Sequence, residues 1–300
     1  MEKITITTAG KKAVVTQSEH VNTHARIQML PDGKYMNLDT GEIKEIRHHE
    51  DESRGSHISN MYRTFRTIRS ILDANITDTD HTLAITLTYA EPMNDTKKAT
   101  IDFKRFRIRI KNYCKRNHLS VPEYIVIFEP QASGSWHMHV FFIWTDMNAP
   151  YIPHDKLTKY WKNGFTTIRR VHNITNIGSY FTFSLANLDL DANISNLGKK
   201  AIYEGKGRKV ETKQIYENGQ LKSKWIIKGE RIKYYPTGFN IYRCSKGIKR
   251  PIVETITAEE LEERISDKNM TKVHEYGIQV IDNSSGAVVN NLIKEFYTID

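Results

Sequence analysis

The stretch "FEPQASGSWHMHVFFIW", residues 128–144, places two imidazoles one residue apart in an apolar run, with a carboxylate just upstream. Side chains alternate along a β-strand, so His137 and His139 project from one face while Met138 and Val140 point to the other. Both imidazoles can therefore reach one ion. If "EYIVIFE" and "HMHVFFIW" form an antiparallel hairpin whose loop spans Pro130 to Trp136, Glu129 lies directly across from His137 on that same face. A slip of one residue would take it away. The pattern points to a metal site of two histidines and one carboxylate, His137, His139 and Glu129, with open coordination positions. Such a donor set suits Mn²⁺, or Mg²⁺ with water retained, better than a closed structural zinc site with four tight ligands. An open ion acts as a Lewis acid on a phosphate oxygen, and in a basic protein the natural substrate is then a phosphodiester.

The dipeptide alone is weak. Twelve histidines in 300 residues give roughly half of a His-x-His pair by chance, and partly exposed strand histidines are the plain alternative. Context supplies the weight: a glutamate at matching parity, the apolar anchor "VFFIW", and basic helices on either side. Lys and Arg outnumber Asp and Glu, 44 to 35, for a net charge of +9. That balance favours a polyanionic partner, although a solvated lysine face gives the same number. Two cysteines, neither in a CxxC pattern, exclude a disulfide framework and a zinc ribbon and fit a reducing compartment. The opening "MEKITITTAGKK" has no long apolar region, and no stretch approaches the roughly 18–20 apolar residues that span a bilayer. A soluble, cytoplasmic, bacterial protein is expected.

Several elements must position this pair. "ARIQMLPDGKYMNLDTGEIKEI" reads as short strands around a Pro-Asp-Gly turn. "ISNMYRTFRTIRSILDAN" puts Ile58, Met61, Tyr62, Phe65, Ile68 and Leu72 at helical spacing beside a basic row of Arg63, Arg66 and Arg69. "HTLAITLTYAEP" is a strand stopped by Pro92, and the helix after it buries Phe103, Phe106, Ile110 and Tyr113. Helix, strand and helix return from "KLTKYWKNGF" to "IGSYFTFSLANL". Later come an Asn218-Gly219 hairpin signal, a capping box of Thr257 and Glu260, and a strand "EYGIQVID". The fold class is α+β, a central antiparallel sheet flanked by helices. Three segments are expected: a β-rich extension over 1–52, a core over 53–195, and a basic β-rich extension over 196–300 packed on that core.

Three motifs in order resemble those of one family. "HMHV" has the His-hydrophobic-His form of the HUH endonucleases, "TLTY" at 86–89 looks like the first motif of rolling-circle replication initiators, and "IGSYFTFSL" looks like their tyrosine motif. "YYPTGFNIYRCSKGIKRP" and "TGEIKEI … MYRTFRTIRSILDAN" are similar to flanks of Rep proteins from Gram-positive plasmids and integrative elements. The likeness extends over roughly residues 35–255.

The resemblance implies an RRM-like core and a DNA nickase and strand-transferase that starts rolling-circle replication of a plasmid or mobile element. In that family a tyrosine hydroxyl attacks the scissile phosphate, the protein becomes linked to the 5′ phosphate, and a 3′-hydroxyl is released. Tyr180, after the Gly-Ser entry to an apolar helix, is the implied nucleophile, with Tyr151 and Tyr160 as rivals. A nearby cation favours the phenolate of a group whose free pKa is about 10. Many members carry a lysine three residues after the tyrosine; here that position is Phe183, and Lys199 or Lys200 would have to supply the charge. Ser184 stands where a second tyrosine would sit, which favours a single-tyrosine mechanism. A conjugative relaxase or an HUH transposase with the same chemistry is the near alternative, and a non-enzymatic DNA-binding protein the distant one.

DNA contacts are expected at several places. Thr86 and Thr88 lie in the first motif. The arginine row Arg63, Arg66 and Arg69, with Lys104, Arg107 and Lys111 on the second helix, suits phosphate contacts. In the later segment, Tyr235 and Tyr242 alternate with Arg243, Lys246, Lys249 and Arg250 as a stacking and backbone surface, although strand alternation buries every second aromatic. Expected partners are single-stranded and origin DNA, a host helicase and the replication machinery, with no membrane; homodimer formation stays open.

Overall fold

In the computed structural model the described residues are 3–20, 27–46, 58–131, 134–169, 178, 185–190, 210–217, 220–227, 229–281 and 285–299. The chain divides into two units, Met1–Asp51 with Pro251–Asp300, and Glu52–Arg250. The expected boundary at 195/196 lies outside the described residues. Residues 196–300, expected as one extension packed on the core, are instead split after Arg250. Backbone pairing is the reason: the two ends of the chain complete one sheet.

That sheet is built from β1 (Lys3–Ala9), β2 (Lys12–Ser18), β14 (Ile252–Ile256), β15 (Met270–Ile281) and β16 (Val288–Ile299), in the order β14-β1-β2-β16-β15. Ile4 pairs with Ile256 and Phe296 with Val14. Its core is small, with Ile4, Ile6, Ala13, Val15, Ile256, Leu261, Met270 and Tyr297 buried together. The helix Ala258–Asp267 begins on the expected capping box: the Glu260 amide donates to Thr257 Oγ1 at 3.2 Å and the Thr257 amide to Glu260 Oε2 at 2.8 Å. A separate three-stranded meander, β3 (Ile27–Leu30), β4 (Lys34–Asn37) and β5 (Ile43–Glu45), turns at Pro-Asp-Gly as read from sequence.

The second unit carries the histidine pair. Helix α1 (Ile58–Asn75) buries Met61, Phe65, Ile68, Ile71 and Leu72, whereas Tyr62, expected in that stripe, is exposed. Strand β6 (Thr82–Tyr89) follows, then α2 (Thr96–Arg116), whose N-cap Asp95 accepts from the amides of Lys97 and Lys98 at 2.7 and 3.0 Å. The stripe Phe103, Phe106, Ile110 and Tyr113 is buried as expected. Strands β7 (Glu123–Pro130) and β8 (Trp136–Ile143), helix α3 (His154–Trp161), β9 (Gly164–Arg169) and the short β13 (Tyr242–Cys244) complete an antiparallel sheet of order β13-β7-β8-β6-β9. Strand β10 (Leu188–Leu190) joins the β11 (Val210–Glu217) and β12 (Gln220–Ile227) hairpin in a further small sheet. The architecture is α+β with antiparallel sheets.

Parity decides which face does what. Phe103 meets Phe128, Phe106 meets Phe142 and Phe106 meets Trp161 at ring-centroid distances of 6.3, 6.1 and 6.1 Å, so α2 and α3 cover the face that carries Phe128 and Phe142. Glu129, His137 and His139 stand on the opposite face. No helix among the described residues is long and apolar enough to cross a membrane.

Candidate functional site

The β7–β8 hairpin adopts the register that the site requires: Pro130 pairs with Trp136, Glu129 with His137 and Ile127 with His139. On the other side of β8, Thr88 pairs with His137 and Thr86 with His139, and β9 sets Phe165 beside Thr88. One cross-strand row thus reads Phe165, Thr88, His137, Glu129. The next reads Thr167, Thr86, His139, Ile127. The hairpin end is pinned from outside, because the Trp136 amide donates to the Met93 carbonyl at 2.9 Å and Trp136 Nε1 to the Asn94 carbonyl at 3.0 Å.

Burial grades along these rows. Glu129 and His139 are 5 % and 6 % exposed, and His137 is half-buried. His139 Nε2 lies against Glu129 Oε2, and its Nδ1 is 3.3 Å from Thr86 Oγ1. The Gln131 amide donates to His137 Nδ1 at 2.6 Å. The second carboxylate oxygen, Glu129 Oε1, accepts from Arg231 Nη1. Arg231 is 7 % exposed, and burial pulls its pKa below the ordinary arginine value. A buried carboxylate is tolerated here because two cationic or donor groups share it.

Arg231 arrives from far along the chain. It sits on a short 3₁₀ turn, Glu230–Tyr234, entered through Gly229 at φ +72°, a left-handed position that suits glycine. The Gly229 amide donates to Asn187 Oδ1 at 3.0 Å, and Tyr235 Oη donates to the Leu185 carbonyl at 3.2 Å. The turn is therefore tied on both flanks to residues 185 and 187.

Donor chemistry and register fit a hard divalent cation. Glu129 Oε2 and His139 Nε2 already converge, and His137 follows in the same row as Glu129. The conformations seen are a pairing with Arg231 and Gln131: among the described residues no three His, Cys, Asp or Glu side chains form a ready ligand group. The residues that would hold the ion are His137, His139 and Glu129, with Arg231 as a competing cation on the carboxylate.

Tyr180 lies outside the described residues, as do Phe183, Ser184, Lys199 and Lys200. Gly178, two residues earlier, is described and buried; a Cβ there would stand 2.7 Å from Arg69 Cγ and 2.9 Å from the Arg69 carbonyl oxygen. The tyrosine motif thus enters against α1 through a glycine. Of the rivals, Tyr151 is 84 % exposed, and Tyr160 is part-buried against Tyr113. Tyr89, in the first motif, donates to Asp102 at 3.1 Å, and burial and then that carboxylate push its pKa far up, which disfavours its phenolate.

The expected DNA contacts divide. Tyr235 is corrected: it is fully buried, its ring 6.1 Å from Phe65 and 6.4 Å from Trp136, so it is a core residue and offers no face to a base. Thr86 is buried too, and its hydroxyl meets His139 instead of solvent. Thr88 is half-buried beside His137. Arg63 and Arg66 are exposed on α1, while Arg69 lies 3.8 Å from Asp73. Lys104 and Lys111 are exposed and Arg107 stacks 5.0 Å from the Tyr124 ring, but all three ride α2, behind the sheet. Tyr242 packs half-buried on the core and Arg243 lies over Phe128 and Phe239; Lys246, Lys249 and Arg250 are exposed.

Sequence reasoning missed Arg231 and Phe165. No local pattern marks Arg231, whose partner is 102 residues away. Phe165 is 64 % exposed in the same row as His137; pairing β9 with β6 would have found it.

Residues 82–185 match the family model of the ORF2-type replication-associated protein. The match covers roughly a third of the chain and takes in Glu129, His137, His139 and Tyr180. Neither the search of curated proteins nor the search of solved structures returned a match.

Proposed function

We propose that this chain is a replication initiator acting as a metal-dependent, site-specific single-strand DNA endonuclease and strand-transferase. The observation that supports this reading best is the buried contact of Glu129 with His139, with His137 beside it, inside the stretch that matches replication-associated proteins. Bound Mn²⁺ or Mg²⁺ would supply Lewis acidity to a non-bridging phosphate oxygen. The protein's own groups do the rest. Thr86 fixes the His139 ring, the hairpin register holds Glu129 opposite His137, and the phosphodiester is presented to the Tyr180 hydroxyl. The Tyr180 Oη–P bond forms as the P–O3′ bond breaks; the phenol gives up its proton and the departing 3′ oxygen takes one up. The 5′ phosphate stays on the tyrosine, so rejoining by a 3′-hydroxyl needs no ATP. Origin DNA, a host helicase and the replication machinery are the partners this reading requires.

Incubation with single-stranded or supercoiled DNA and Mn²⁺ tests it. A covalent protein–DNA adduct is expected from the wild type and none from Tyr180→Phe. A second reading, a DNA-binding protein without catalysis, is favoured by the fact that both Glu129 oxygens already have partners. It predicts DNA binding indifferent to chelator and no adduct at all.

A further inference from the structure

Arg231 is the group at this site that the proposed chemistry does not use. Its Nη1 bonds Glu129 Oε1, yet its Nε, also buried, has no hydrogen-bond partner among the described residues. A buried guanidinium normally uses most of its five donors, and one left without a partner carries a desolvation penalty. Its position is set by the carboxylate and by the turn that carries it. That turn is anchored to Asn187 and Leu185, shortly after the tyrosine motif.

We infer that Arg231 is a positioning residue that shares Glu129 with the divalent cation, so that ion binding is an exchange at the carboxylate. The inference rests on the metal-site reading above. A cation taking Glu129 must draw the carboxylate away from the guanidinium, and the two positive charges repel at short range in a poorly screened site. Because Gly229 and Tyr235 hold the turn, the released guanidinium stays where it is, with its Nη1 and Nε donors available to an oxyanion. A phosphate is the oxyanion the site handles, and a planar fork of donors suits two of its oxygens. Without the ion, Arg231 keeps Glu129 neutralised and turned toward His139. Loading the ion and arming a phosphate clamp become one event.

The experiment measures Mn²⁺ affinity from the electron paramagnetic resonance of the free ion, together with thermal melting in EDTA and in Mn²⁺, for wild type, Arg231→Met and Arg231→Lys. Arg231→Met is expected to bind Mn²⁺ about tenfold more tightly than wild type, because a unit charge near the ion is removed. Its melting temperature should fall in EDTA and rise more than wild type's when Mn²⁺ is added. Arg231→Lys should stay near wild-type affinity. Equal or weaker Mn²⁺ binding by a folded Arg231→Met overturns the exchange while leaving the metal site standing. A wild type that binds no Mn²⁺ overturns both. If Arg231→Met does not fold, the Nε–H resonance of Arg231 in ¹⁵N-arginine-labelled wild type, assigned by its loss in Arg231→Lys, decides: a shift on titration with Mg²⁺ supports the exchange, and an unmoved resonance at saturating Mg²⁺ overturns it.

Discussion

Glu129 pairs through its backbone with His137, yet its carboxylate reaches His139, one row further into the sheet. The diagonal reach leaves Oε1 for Arg231 and makes Glu129 the hinge of a buried three-residue ion network. Glu129→Ala strands a buried guanidinium, and breaking such a pair from one side costs about 3–5 kcal/mol. The double variant Glu129→Ala/Arg231→Met should lose less than the sum of the two single losses, with a coupling of at least about 1 kcal/mol. Urea unfolding of the four proteins in EDTA checks it; simple additivity would mean the network is not a unit.

His137 is half-buried and bonded to Gln131, whereas His139 lies deep beside Thr86. The two histidines should therefore fail differently. His137→Ala is expected to remove nicking with little change in stability, while His139→Ala should also lower the melting temperature through the cavity it leaves. EDTA should stop nicking by the wild type yet leave most of its salt-dependent DNA binding, since that affinity comes from exposed cations. Full-rate nicking by His137→Ala would take that side chain out of the ligand set.

Much of this was legible in the sequence because it is local. The β7–β8 register follows from parity and from a loop bounded by Pro130 and Trp136, and the α2 stripe follows from helical spacing. The capping box of Thr257 needs only three residues of context. What was not legible depends on contacts between distant segments. Tyr235 looks like an interleaved aromatic on a basic strand, but Phe65 and Trp136 close over it. Arg231 has no neighbour in sequence that hints at Glu129. The basic residues of α2 form a convincing phosphate row on a helical wheel, and only the packing of Phe103 on Phe128 shows that this helix backs the sheet. The split of residues 196–300 follows from β14 pairing with β1, a closure between the two ends of the chain that no window along it can reveal.

Phe165 presents an exposed ring two strands from His137 in one cross-strand row. A base flanking the scissile phosphate can stack there, and such contacts are worth about 1–3 kcal/mol per base on alanine substitution. Phe165→Ala should weaken binding of single-stranded DNA accordingly and leave urea unfolding within about 0.5 kcal/mol of wild type, as expected for an exposed site. Fluorescence anisotropy with a labelled oligonucleotide reads the first quantity; unchanged affinity would assign the ring to no DNA contact.

Gly178 offers a test of how the tyrosine motif is placed. A methyl group there meets the Arg69 side chain at 2.7 Å, the Arg69 carbonyl at 2.9 Å and Asp73 Oδ1 at 3.0 Å, so at least one backbone atom of α1 is in the way. Overpacking of this kind costs about 1–3 kcal/mol, and relief comes from shifting the segment that carries residue 178. Tyr180 is two residues along, and displacing a nucleophile by about 1 Å can lower a rate by about 10²-fold. Gly178→Ala should therefore reduce the rate of adduct formation far more than it reduces Mn²⁺ affinity, which depends on strands β7 and β8. Single-turnover adduct formation, measured beside Mn²⁺ binding on the same preparation, separates the two effects; parallel losses in both would place the damage in the fold as a whole.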